Sequence, residues 1–60
     1  MATLKAGWGY WRPHDYPNAF HRPRQDLADV TPGVPTRAGW MLVTLADGTV
    51  VETSQDAVEA

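Results

Sequence analysis

Leu42-Val43-Thr44-Leu45-Ala46-Asp47-Gly48-Thr49-Val50-Val51-Glu52-Thr53 reads as a β-hairpin. Two runs of β-branched and aliphatic residues flank Asp47-Gly48, a pair suited to the positive φ angles of a type I′ turn. With a two-residue loop, Leu45 faces Val50, Thr44 faces Val51, Val43 faces Glu52 and Leu42 faces Thr53. One face then collects Trp40, Leu42, Thr44, Ala46, Val51 and Thr53, and the other Met41, Val43, Leu45, Val50 and Glu52. Both are substantially apolar, whereas a surface hairpin alternates apolar and polar residues. The strand at 40–46 is therefore expected to be covered on both faces, by Trp8 and Tyr10 on one and by the preceding arm or a second protein on the other.

Upstream, Thr3 to Trp11 also alternates, with Leu4, Ala6, Trp8 and Tyr10 on one face of an expected first strand. Gly7 and Gly9 weaken it and mark a bulge or a close approach by another group. Between the two strand regions lie all five prolines, Pro13, Pro17, Pro23, Pro32 and Pro35. Each removes a backbone donor and pushes its predecessor toward extended geometry, so no long regular element is expected there. The one helical opportunity is Arg24 to Val30, with Pro23 near its first position and Asp26 in its first turn. Thr53-Ser54-Gln55-Asp56 resembles a helix-capping sequence with too little chain behind it for a helix. Ala6-Gly7-Trp8 and Ala38-Gly39-Trp40 read as similar strand entries rather than a duplication.

The expected fold is mostly β in a single small domain over 1–60. It is a small antiparallel sheet made of the C-terminal hairpin 40–54 and a strand over 3–11. A long Pro-rich extended arm over 12–37 lies between them, and a tail over 55–60 follows. A chain of 60 residues is marginal, because one this short buries only ~60% of the surface its unfolded form exposes. Without cysteine there is no disulfide and no thiolate metal site to staple it. Dense aromatic packing or a partner must supply the support. The longest apolar run, 39–45, is far short of the roughly 20 residues that span a bilayer. The N-terminal residues lack the apolar core of a secretory signal. The reading that follows is a cytoplasmic location, or one within a virion or other assembly, with no membrane partner.

Net charge is −2, but its distribution is more informative. Residues 1–37 hold all five basic side chains against three acids, net +2, and residues 38–60 hold four acids and no base, net −4. Head-to-tail contact between copies would satisfy that polarity, as would folding of the front half onto its own hairpin.

Chemistry-bearing residues concentrate in the front half. Trp8, Tyr10, Trp11 and Arg12 stand together, followed by Tyr16 and Phe20 and then by Arg22 and Arg24. Aromatic and arginine side chains dominate protein-interface hot spots, and these eight are the candidate partner-binding residues. The same mixture would serve a single-stranded nucleic acid, with rings stacking bases and Arg12, Arg22 and Arg24 on phosphates, although the acidic tail opposes a phosphate backbone. His14, Asp15 and His21, with Asp26 and Asp29 downstream, are metal-capable residue types. Their spacing matches no compact metal motif, and they read more simply as loop surface groups. Ser54 is the sole serine, and no nucleophile, base and acid stand in a recognised relation. No catalytic residue, cofactor or metal is expected.

The function expected is that of a non-enzymatic accessory or structural protein, for example a cementing or minor virion subunit. It would dock on a larger protein assembly, or on copies of itself, through its aromatic-rich arm and hairpin. The alternatives are a small single-stranded nucleic-acid-binding module and a small protein inhibitor of a host enzyme. The outer edge of 49–54 or of 3–11 offers strand pairing to a partner, unless the arm covers it.

Overall fold

The computed structural model describes residues 2–13 and 20–60. Among these residues six strands form one antiparallel sheet: β1 (Ala2–Leu4), β2 (Tyr10–Trp11), β3 (Leu27–Arg37), β4 (Trp40–Thr44), β5 (Val50–Ser54) and β6 (Val58–Glu59), in the order β2-β5-β4-β3-β1-β6. The mostly-β, antiparallel reading is correct, and the 40–54 hairpin is its centre.

The hairpin differs from expectation in its turn. Gly48 N–H donates to the Leu45 carbonyl at 2.9 Å and Leu45 N–H to the Thr49 carbonyl at 2.8 Å, closing a three-residue loop over 46–48. Gly48 has φ +93 while Asp47 keeps a negative φ. This is a tight turn followed by a left-handed glycine, not a type I′ pair. The added loop residue moves the register by one: Val43 faces Val51, Leu42 faces Glu52, Met41 faces Thr53 and Trp40 faces Ser54. Because side chains alternate with period two, the slip exchanges the faces of β5 relative to β4. Val43 and Val51 now meet in the core, joined by Ala2, Leu4, Val30 and Ala57. Thr53 is buried with them, its hydroxyl donating to the Gly9 carbonyl at 2.9 Å.

The expected strand over 3–11 is two strands. Ala6-Gly7 and Ala38-Gly39 are both turns, with Gly7 at φ +88 and Gly39 at φ +82, and Trp40 opens β4 as expected while Trp8 opens no strand. The first turn separates β1, which pairs with β3 and β6, from β2, which pairs with β5. Tyr10 packs against the core cluster as expected, whereas Trp8 is 41% exposed and takes no part in it. Leu4, Val30 and Ala57 complete the cover of the core face of β4. The tail is not idle either. Ser54 Oγ accepts the Asp56 N–H at 3.2 Å, capping a 3-10 turn at Gln55–Ala57, after which β6 pairs with β1.

The helix expected over Arg24 to Val30 is absent, and β3 runs through most of that segment and onward to Arg37. Leu27 and Val30 pack toward the core from a strand, and pairing with β1 and β4 outweighs local preference. The first part of β3 pairs with β1 and the later part, from Thr31, with β4. Over 31–37 no described residue is laddered to its second edge, which is where a strand tolerates Pro32 and Pro35. Three register shifts run along β3. At the first, Asp29 is held at φ +61, the one non-glycine residue in the left-handed region among the described residues.

Asp29→Gly should relieve that backbone and stabilise the fold by about 0.5–1 kcal/mol, raising Tm by about 2–8 °C, whereas Asp29→Val should lower it. Thermal denaturation of both variants checks this. Equal Tm values would mean that the bulge does not constrain residue 29.

Candidate interaction surface

The sheet has a second face, and the shifted register decides what stands on it. Glu52 stands between its partners Trp11 of β2 and Leu42 of β4 and is only 8% exposed. Its carboxylate accepts the Trp11 Nε1–H at 3.0 Å and the Thr36 hydroxyl, and Arg37 Nη2 stands 3.8 Å away. A buried carboxylate is stable only when its lone pairs are occupied in this way. Trp11 is 4% exposed and packs against Trp40 at 4.8 Å and Phe20 at 5.4 Å between ring centroids, while the Arg37 guanidinium sits 5.2 Å over Trp40. Trp11 therefore supports the exposed Phe20 from beneath. The side chain of Glu52 is turned inward by the register of β5 between β2 and β4. Its role depends on the register, and no local sequence signal carried it.

Residues 20–26 run back alongside residues 5–13 and β2. Tyr10 and His21 exchange two backbone hydrogen bonds of 2.8 Å, Gly7 N–H reaches the Pro23 carbonyl at 3.1 Å, and the Asp26 carboxylate accepts the Ala6 N–H at 2.7 Å. The outer edge of β5 at Glu52 and Thr53 is thus covered by β2, and that of β2 by the return segment. Edge pairing at these positions is already taken by the chain itself.

These paired segments send their side chains to two sides. On the Trp11 side, Phe20 rests on Trp11 and occupies the space that a Cβ at Gly9 would fill, yet it remains 48% exposed. Arg22 stands 5.9 Å over the Phe20 ring, Arg24 is exposed nearby in sequence, and Trp8 is 41% exposed. On the other side Tyr10 stacks on His21 at 5.7 Å. Two adjoining grooves of about 400 and 330 Å³ open there, sharing Tyr10, Leu45 and Asp47. Asp26 and Ala28 line the first, and Arg12 and His21 the second. Tyr16, His14 and Asp15 lie outside the described residues. Among those described, no group of three metal-capable side chains converges, and no helix is long and apolar enough to cross a membrane.

Comparison with known proteins finds no matching family model, no similar curated protein and no similar solved structure. Fold and surface alone define the class: a small antiparallel β module that carries aromatic and arginine side chains on a loop pinned to its sheet.

Two predictions follow from these contacts. Glu52→Ala leaves the Trp11 and Thr36 donors unsatisfied and should cost about 1–3 kcal/mol, whereas Glu52→Gln keeps an acceptor and should cost less. Denaturation followed by Trp fluorescence distinguishes them, and equal losses would remove the hydrogen bonds as the cause.

The second concerns acid. The Ala6 N–H holds the Asp26 carboxyl below its ordinary value of 3.8, and the Thr49 N–H does the same for Asp47. Since both folded values are depressed, their stabilisation is present above that ordinary value and is lost as pH falls through the folded ones. The Tm deficit of an Asp26→Ala, Asp47→Ala double variant should accordingly be full near pH ~6 and vanish near pH ~2. A deficit independent of pH would contradict this.

Proposed function

We propose that this chain is a non-enzymatic accessory protein that docks on a larger protein assembly through an aromatic ridge built on Phe20 and Arg22, to which the exposed Trp8 and Arg24 add. The observation that carries the reading is Phe20. It is held from below by Trp11 and Gly9, yet presents about half of its surface to solvent. A large ring fixed in place before binding loses little entropy when a partner covers it, which is how hot-spot anchors reach high affinity. Trp11 and Trp40 contribute by fixing the ridge. Tyr10 and Arg12 face the groove side.

A single-stranded nucleic acid is the second reading, favoured by the Arg22 guanidinium over the Phe20 ring. It predicts affinity that falls steeply with salt. An inhibitor of a host enzyme would use the same ridge and differ only in what its partner does.

In a pull-down of the source assembly, a Trp8→Ala, Phe20→Ala double variant should lose capture while keeping a dispersed amide spectrum. Trp11→Ala should instead unfold the chain, since truncating a buried Trp costs about 3–5 kcal/mol in a domain whose whole stability is on the order of 5 kcal/mol. In the isolated chain the Trp11 indole proton should exchange slowly and that of Trp8 rapidly. Unchanged capture by the double variant would overturn the docking reading.

A further inference from the structure

The charges that folding leaves unpaired are sorted by side. Among the described residues Lys5 pairs with Asp26 and Glu59, Arg37 pairs with Glu52, and Arg12 has a partner of its own. Arg22 and Arg24 form no ion pair there, and both stand on the segment that carries the exposed Phe20. Of the acids, Asp29, Asp47 and Asp56 form none. Asp29 and Asp56 line neither groove, whereas Asp47 borders the larger one.

That groove, of about 400 Å³, has Leu27 and Ala28 on one wall and Leu45 and Ala46 on the other, with Tyr10 completing the lining. Its charged lining is acidic only: Asp47, and Asp26, whose carboxylate Lys5 and the Ala6 N–H already hold. A cavity of ~150 Å³ already takes a benzene ring, so the groove has room for a phenyl side chain. Phe20 of the same chain cannot supply it. Phe20 rests on Trp11 while its neighbour His21 stacks on Tyr10, so the ring and the groove face opposite sides of the Tyr10–His21 pair. A knob and a socket that face away from each other on one chain make a heterologous interface, in which the knob of each copy enters the socket of the next.

We propose that the surface receiving the Phe20 ridge is this groove on a second copy of the chain. Phe20 enters between Leu27–Ala28 and Leu45–Ala46 of the next copy, and Arg22 and Arg24 lie against its Asp47. The proposal rests on the docking reading of the ridge and names the partner. Both kinds of complementarity support it: an exposed ring beside unpaired cations on one side, an apolar groove beside an unpaired carboxylate on the other.

The test is sedimentation velocity and amide NMR of the full chain over a range of concentrations. One ring and two cations make a small contact, so Kd should be on the order of 0.1–1 mM and should rise about three- to tenfold between low and high salt. Raising the concentration should shift the amides of 20–22 together with those of 27–28 and 45–47. Phe20→Ala removes the knob, and Ala28→Arg fills the groove and repels the incoming arginines. Each variant should keep a dispersed amide spectrum and sediment as a monomer, and Ala46→Arg on the facing wall should repeat the effect of Ala28→Arg. Mixed together, the Phe20→Ala and Ala28→Arg chains should form a one-to-one dimer that grows no further, because one keeps the groove and the other keeps the ring. A mixture that stays monomeric, or self-association that survives either groove variant, would overturn the proposal. A wild-type chain that is monomeric at millimolar concentration, yet is captured by the source assembly through Phe20, would overturn self-docking and leave the ridge standing. The two failures are thus separately visible.

Discussion

The register of the 40–54 hairpin is the constraint on which the rest of the molecule depends. Closing the turn at Gly48 with three loop residues pairs Val43 with Val51 and Leu42 with Glu52. The small apolar residues Val43 and Val51 then meet Leu4, Val30 and Ala57, and Glu52 is sent to the opposite face. There its carboxylate receives Trp11, which fixes β2 along β5, which in turn fixes the neighbouring segment 20–26 and the side chains it displays. A slip of one residue would drive a carboxylate toward the core and turn Val51 outward. Each face of the hairpin thus enforces the same alignment.

The division of labour between the two faces explains how a short chain without disulfides supports itself. Among the described residues the core cluster on one face is aliphatic: Ala2, Leu4, Val30, Val43, Val51 and Ala57 make a thin layer, edged by half-buried Tyr10, Leu27 and Met41. The larger apolar bodies, Trp11, Trp40 and Phe20, form a second cluster on the other face. Small domains run short of interior volume, and packing both sides of one sheet recovers some of it. The second layer is incomplete. It protects Trp11 and Glu52 but leaves Val50 exposed on the same sheet face and Phe20 exposed at its margin.

The readable and unreadable parts of this fold separate by the range of the interactions that set them. The hairpin was legible because β-branched runs around Asp-Gly are a local signal, and both strands formed where expected. Its register was not, since Asp47-Gly48 occurs in two-residue loops and in three-residue loops alike. The choice between them rests on which residues find the core. Residues 24–30 carry local helix signals, yet Leu27 and Val30 gain more from pairing with β1, a partner more than twenty positions away in sequence. β6 was hidden for the same reason, as two residues become a strand only beside β1. Among the candidate residues, type alone identified the aromatic cluster but could not sort it. Trp11 and Trp8 look alike in sequence and are distinguished by one hydrogen bond to a residue forty-one positions on.

That sorting follows from alternation along a very short strand. Tyr10 and Trp11 are neighbours in β2 and point to opposite faces, and the return segment repeats the pattern, with His21 on the Tyr10 side and Phe20 on the Trp11 side. A single rigid anchor, the Tyr10–His21 backbone pair laddered to Thr53, thereby positions the aromatic ridge and the floor of the groove together. Movement of this loop away from β5 would dismantle both surfaces at once. The buried Glu52 carboxylate opposes that movement, because releasing Trp11 would leave a charge without its donor in an apolar setting. The least core-like residue of the hairpin is therefore the one that holds the exposed surfaces in place.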